Sequence, residues 1–455
     1  MSYKATITSQ IDFFNSNKTK DIAFRIEQLK KLKSIIKNNE SELCEAIYRD
    51  FKKSEFETYT SELGLIYFSI DSAVKHLPKW SNRKRVNTNL INWPARSYIV
   101  PEPLGVCLII GAWNYPFLLS LAPAVAAIAA GNTVILKPSE TASASSAAIA
   151  KLINENFPSN YFNVVEGGIS ETTELLSIKF DKIFFTGSSA VGKIVYQAAA
   201  KYLAPVTLEL GGKSPAIITN NCDLKKTAKR LVWAKFLNAG QTCIAPDYVL
   251  VDETVKEEFI GYLKDYIIKF DYSFENNNYV QIINNKNFQR LTALIDKNKI
   301  YYGGETNLEK RFISPTLLKD VTLDDKIMKD EIFGPILPLI SYSNLEEAIV
   351  KIKLLPKPLA CYIFTNNKNI RDKLLNQFSF GGGAINEALM HISNTNLPFG
   401  GVGDSGTGSY NGKAGFATFS HFKSILHKPF WLEPNLKYSP ITNTKLSLIK
   451  RLMGS

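Results

Sequence analysis

Cys243 sits in the stretch NAGQTCIAPDY, among small and amide-bearing residues. A thiol there is an apolar filler, a redox group or a nucleophile, and only as a thiolate would it attack. Two other groups match what a nucleophile needs. Glu209, in LELGGK, lies between two leucines ahead of a glycine pair. An apolar flank raises a carboxyl pKa and suits it to general-base work near neutral pH. Asn114, in WNYP, follows an apolar run, where a side-chain amide could donate to a developing oxyanion. Taken singly, each also reads as an ordinary turn or strand end.

Three further stretches suit a dinucleotide. FTGSSAVGK, from Phe185 to Lys193, follows a strand pattern and opens a helix. The free N–H groups and dipole of such a helix start favour a pyrophosphate. Only the outer glycines, Gly187 and Gly192, are there; the middle glycine of the dinucleotide fingerprint is missing. In LKPSE, Lys137 could donate to ribose hydroxyls and Glu140 accept from them. In EIFGP, Glu331 and Phe333 stand ahead of a Gly-Pro turn, where they could meet a second ribose and a ring face.

The elements that must position these groups follow from the hydrophobic pattern. Residues 106–111 are a continuous apolar run, as in a strand covered on both faces. Residues 133–136, 162–165 and 182–185 read as further strands, and 143–156 as a helix. Residues 123–130 predict a helix with its proline in the first turn. Alternating strands and helices mean βαβ units and a mostly parallel sheet. The pattern resumes at 215–218, 248–251 and 360–364, so two α/β domains are expected, meeting near 208. Residues 21–57 predict amphipathic packing helices, with Asn39 and Glu42 forming a capped start. Residues 83–103 read as an extended excursion.

Bulk composition excludes several classes. The chain has 455 residues and 45% hydrophobic content, with no apolar run of the ~20 residues a membrane span needs and no secretory signal pattern. Its five cysteines, Cys44, Cys107, Cys222, Cys243 and Cys361, are scattered, which argues for a reducing cytoplasm over a disulfide framework. Cys107 and Cys361 are expected as buried fillers, Cys44 as helical core and Cys222 as a loop thiol. Net charge is +12, but the lysines are spread along the chain, as on a solvated surface and unlike a nucleic-acid footprint. The four histidines lack the spacing of a metal site, and no metal is expected.

In chain order, WNYP, KPSE, FTGSxxxG, LELGGK, GQxC, EIFGP and LPFGGxGxSGxG resemble the aldehyde dehydrogenase superfamily, over about residues 20–428. GQTCIAPDY and the LPFGGVGDSGTGSYNGKAGFATFSHFKS stretch look most like its class 3 branch, which acts on medium-chain, aromatic and fatty aldehydes. The resemblance implies an α/β fold: a Rossmann-like NAD-binding domain (1–82 and 104–208), a second α/β catalytic domain (209–411), and a small β bridging and oligomerisation segment (83–103 and 412–430). It implies Cys243 as nucleophile, Asn114 as oxyanion donor and Glu209 as the base that hydrolyses a thioester to the acid. Lys137, Glu140, Gly187, Ser188, Gly192, Glu331 and Phe333 would bind NAD, with NADP as the alternative. Tyr115, Trp233 and His391 are candidates to line the substrate pocket. A homodimer follows from the same resemblance. The competing readings are a catalytically silent relative and a thiol hydrolase using Cys243 without redox chemistry. For the tail, residues 431–455, a packed or frayed end is expected, with membrane-surface contact through its basic turns as the alternative.

Overall fold

The apolar run at 106–110 forms the strand Val106–Ile110, buried at every residue, in a computed structural model that describes residues 2–454. A strand covered on both faces belongs inside a parallel sheet. It pairs in parallel with Thr133–Lys137 on one side and Lys182–Thr186 on the other. The full order is Gly406–Thr407, Val206–Glu209, Lys182–Thr186, Val106–Ile110, Thr133–Lys137, Phe162–Val164. Only the short Gly406–Thr407 strand runs antiparallel. The chain winds outward first to one side of Val106–Ile110 and then to the other, so a crevice opens at the carboxyl ends of these strands.

A second sheet orders Ile300–Tyr302, Thr316–Leu318, Ile336–Tyr342, Tyr248–Asp252, Pro215–Ile218, Ala360–Phe364 and Gly382–Ile385, parallel except at the Ile300–Tyr302 edge. A third, antiparallel sheet joins Lys84–Val86, Arg96–Pro103 and Ser420–His427, with Ser420 opposite Pro103 and His427 opposite Arg96. The extended reading of 83–103 thus yields two strands. The stretch after 412 differs: it opens with a helix, Gly412–Thr418, before its strand begins.

Three helical details depart from the sequence pattern. The helix containing Pro123 starts five residues earlier, at Leu118, so the proline is interior. Its missing N–H costs a helix bond. Burial of every residue of Leu118–Ala130 except Ala126 outweighs that cost. Asn39 precedes Glu40–Phe51 but does not cap it; its amide donates back to the Ile35 carbonyl at 2.7 Å. An unanticipated helix, Tyr3–Asn15, closes the first sheet, with buried Gln10 donating to the Val134 and Ser159 carbonyls at 3.0 Å each.

Candidate active site

Four strand ends deliver the groups singled out in the sequence to one crevice. Val106–Ile110 runs through Gly111, whose N–H bonds the Lys137 carbonyl at 3.0 Å, into the Asn114 turn. Thr133–Lys137 ends on Lys137 and Lys182–Thr186 ends just before Gly187. Val206–Glu209 ends on Glu209, whose carbonyl accepts from the Gly187 N–H at 3.0 Å. The Glu209 side chain is 3% exposed, and neither carboxyl oxygen has a partner. Burial alone drives this carboxyl well above the ordinary range. An unsatisfied buried carboxyl costs stability, and its raised proton affinity is the environment a general base near neutral pH needs.

The cysteine loop is bent by three consecutive left-handed residues, Asn238 (φ 54°), Ala239 (φ 49°) and Gly240 (φ 70°). Glycine is required at 240, where a Cβ would lie 2.3 Å from the Gly334 carbonyl oxygen. Hydrogen bonds hold the bend. Asn238 Nδ2 donates to the Asn114 carbonyl at 2.9 Å and the Gln241 carbonyl at 3.1 Å. Gln241 Nε2 donates to the Asn238 and Gln281 carbonyls, and its Oε1 accepts from the Ile283 N–H. Asn114 Nδ2 donates to the Gln241 carbonyl at 3.0 Å. An amide nitrogen carries two hydrogens, so one remains for a ligand. Half-buried Cys243 is thereby tied to the Asn114 turn. Burial, then Glu331 and Glu209, push its thiol up, while the N–H groups of Cys243 and Ile244 oppose them. The resting group is the thiol.

The third piece is the Glu331–Pro335 loop. Buried Lys213 bonds Asp247 at 2.5 Å and the Ile327 and Asp330 carbonyls at 3.0 and 2.8 Å. The other Asp247 oxygen accepts from the Ile332 N–H at 2.9 Å. This clamp seats Glu331 over the glycine pair: a Cβ on Gly211 would lie 1.9 Å from Glu331 Oε2. Burial first, and Asp247 second, push the Glu331 carboxyl up to about 8, against the Gly212 N–H, Lys213 and Arg290. Phe333 is held at φ 49°, and its ring meets Trp113 edge-on at 5.4 Å. A bulky residue at positive φ is strained, a feature that gathers at functional sites.

These residues fit a dinucleotide. The buried Lys137 ammonium bonds the Pro138 carbonyl at 2.8 Å and half-exposed Glu140 at 3.3 Å. A Cβ on Gly187 would strike the Phe185 ring at 2.6 Å, and one on Gly192 would strike Leu210 at 2.8 Å, so the Ser189–Ala200 helix lies close on the sheet. Exposed Ser188 caps that helix, accepting from the Val191 N–H at 3.4 Å. Val191 and Ile194 leave exposed apolar surface beside it.

The pocket candidates fall in different places. Tyr115 is buried, with its hydroxyl 2.6 Å from Thr242 Oγ1. His391 has no partner on either ring nitrogen, and burial lowers it to about 4, so it is neutral. It stacks on Phe399 and lies 6.0 Å from the ring of Tyr362, whose hydroxyl donates to the Ile244 carbonyl. Trp233 is partly exposed on the Leu224–Phe236 helix that leads to the cysteine loop. A shallow apolar cleft is lined by Leu65, Phe68, Leu118, Ala122, Phe399 and Tyr410, among others. Burial first, and then the nearness of Glu209 and Cys243, push the Tyr410 hydroxyl up. Cys107 and Cys361 are buried; Cys44 and Cys222 are half-buried. The Lys213–Asp247 clamp was not evident beforehand, although both residues sit inside quoted motifs; opposite charges flanking apolar strands were the available signal.

A doubly wound sheet whose strand ends gather a thiol, an unpartnered carboxyl and a phosphate-type helix start defines an α/β oxidoreductase. The chain belongs to the aldehyde dehydrogenase family, whose sequence profile it matches over residues 3–425. It oxidises aldehydes to carboxylic acids, with NAD or NADP as oxidant. It is 49% identical over 432 residues to the 4,4'-diaponeurosporen-aldehyde dehydrogenase of Staphylococcus aureus, covering 94% of each chain. It is 44% identical to the dimeric, NADP-preferring aldehyde dehydrogenase of Rattus norvegicus, covering 94% of this chain and 95% of that one. Among solved structures, the substrate-bound state of Staphylococcus aureus AldH matches with a TM-score of 0.96 and 47% identity, covering 99% of each chain. Its relatives include members of the class 3 branch.

Proposed function

We propose that this chain oxidises apolar aldehydes, medium- to long-chain or aromatic, through a covalent adduct at Cys243. The thiolate adds to the carbonyl carbon and forms a thiohemiacetal. Its proton has a destination in Glu209, a carboxyl with no other partner. The free Asn114 amide hydrogen and the Cys243 N–H take the oxyanion; one such donor is worth ~10²–10³ in rate. A nicotinamide, when bound, supplies the acceptor for the hydride leaving that carbon, so that a thioester remains on the sulfur. Once Glu209 has passed that proton to solvent, its carboxylate draws a proton from the water that attacks the thioester carbon; the carbon–sulfur bond breaks, the carboxylic acid leaves and the Cys243 sulfur is restored.

Lys137, Glu140, Gly187, Ser188, Gly192, Glu331 and Phe333 would hold the dinucleotide. The carboxylate at 140 favours the free 2′-hydroxyl of NAD over the phosphate of NADP. Residues 1–82 and 104–208 form the dinucleotide-binding domain, which also lends Asn114 to the chemistry, and 209–411 form the catalytic domain, which lends Glu331 and Phe333 to the cofactor. The apolar cleft that includes Tyr410 supports the substrate class; Tyr115, Trp233 and His391, which do not line it, are the candidates for the pocket nearer Cys243. A cytoplasmic homodimer fits five free thiols and an open edge strand at Ser420–His427. No helix among the described residues is long and apolar enough to cross a membrane.

The observation that carries this reading is the buried, doubly unpartnered carboxyl of Glu209 beside Cys243. Reduced-nicotinamide absorbance over a chain-length and aromatic aldehyde panel, with NAD and with NADP, tests it. Wild type should turn over, Cys243→Ala should not, and Glu209→Gln should stall after one hydride transfer. Full activity in Cys243→Ala would reject the assignment.

A further inference from the structure

A second buried charge cluster lies behind the cysteine loop. Lys53 and Glu62 are both fully buried, with Nζ 2.8 Å from Oε1. A buried ion pair repays its desolvation only if its remaining groups are also satisfied. Glu62 Oε2 accepts from the Phe117 N–H at 2.9 Å and the Leu118 N–H at 3.2 Å. It thus supplies the anion for the start of Leu118–Ala130, which has no side-chain cap of its own. Lys53 lies 4.1 Å from the centre of the Tyr115 ring, close enough for a desolvated cation–π contact. The Tyr115 hydroxyl meets Thr242 Oγ1 at 2.6 Å, and Thr242 directly precedes Cys243. Tyr115 is itself flanked by Asn114 and by the turn that Glu62 holds.

The segment carrying these acids is unusual. Tyr59–Leu63 is a π-helical turn following the α-helical turn Glu55–Thr58. On a plain α-helix, residues five apart point about 140° away from each other. Here Glu57 and Glu62 both face the cysteine side: Glu57 Oε1 accepts from the Asn238 N–H at 2.8 Å, inside the strained loop, while Glu62 holds Lys53. π turns are rare and concentrate at functional sites.

We propose that Lys53 is a positioning residue for the nucleophile: pinned by Glu62, it fixes the Tyr115 ring, whose hydroxyl sets Thr242 and so the direction of the Cys243 sulfur and N–H. Glu62 acts on the other partner by holding the turn that carries Asn114. This rests on the roles proposed above for Cys243 and Asn114. Cys243→Ala tests those roles; the variants below test only the positioning.

Lys53→Met alone would strand a buried carboxylate, so the test variant is Lys53→Met/Glu62→Gln, with Tyr115→Phe as an independent second. Misplacing a reacting atom by about 1 Å costs up to ~100-fold. Both variants should lower kcat and the rate of Cys243 alkylation by iodoacetamide about tenfold or more. Their KM for the dinucleotide should stay within about twofold of wild type, and the slower alkylation separates this from loss of folded protein, which would expose the thiol to the reagent. Combined, the three substitutions should fall no further than the more affected parent, because one chain of contacts is cut twice. Wild-type alkylation and kcat in a folded Lys53→Met/Glu62→Gln protein, or fully multiplicative losses in the combination, would overturn the proposal. Should the paired variant not fold, Tyr115→Phe decides: a lowered kcat together with slower Cys243 alkylation supports it, and wild-type kcat and alkylation overturn it.

Discussion

At the scale of single residues, the site is a set of acids held away from their preferred state. Glu209 is buried with no partner, so the folded chain binds its proton more tightly than the unfolded chain does. Above the unfolded value of about 4.3, stability therefore falls as pH rises toward the raised folded value. Glu209→Gln should remove that cost, by about 1–3 kcal/mol at most. Thermal melts should show a stabilisation that grows as pH rises above the unfolded value, alongside lost hydrolysis; a destabilised variant would contradict this. Glu331 is pushed up to about 8, so its charge opposes thiolate formation at Cys243 chiefly above that pH. Glu331→Gln should leave Cys243 alkylation unchanged near pH 7 and speed it near pH 9, as iodoacetamide kinetics would read; equal rates at the higher pH would count against the coupling. Cys243, Glu209 and Asn114 stood out by type and neighbours, but only the order of the motifs gave them roles. Lys53 and Glu62 were not, since a lysine and a glutamate in helical text look solvated until the fold buries both.

At the scale of elements, the strand ends and the loops clamped across them set the geometry. The Lys213–Asp247 pair fastens the Glu331–Pro335 loop to the glycine pair. Asp247→Ala should strand a buried ammonium, cost about 3–5 kcal/mol and raise the KM for the dinucleotide. Denaturant titration and steady-state kinetics check both; an unchanged KM would mean that the loop holds itself. The parallel strands were legible as short apolar runs, since a strand covered on both faces leaves that mark. Helix starts were less so. Pro123 looked like a first turn, yet burial on all sides carried the helix five residues upstream. Asn39 looked like a cap, yet its amide found the Ile35 carbonyl first. Both outcomes depend on tertiary packing and competing local bonds, which spacing does not reveal.

At the scale of the whole molecule, the small antiparallel sheet leaves Ser420–His427 as an open edge, with Phe422 and Leu426 exposed. Unpaired edges invite a partner strand, and a symmetric pair of chains supplies one. Light scattering should give a dimer for wild type and a monomer for Phe422→Asp/Leu426→Asp; a wild-type monomer would contradict this. The order of motifs made the overall fold readable in advance, but not the helix at Gly412–Thr418, which falls in the stretch expected as bridging strand. The most direct test of the central claim is mass spectrometry of Glu209→Gln protein mixed with NAD and an apolar aldehyde, quenched in acid and digested. The account predicts an acyl group, the aldehyde less its carbonyl hydrogen, in place of the thiol hydrogen of Cys243. An unmodified Cys243 peptide after a full equivalent of NADH has formed would contradict it.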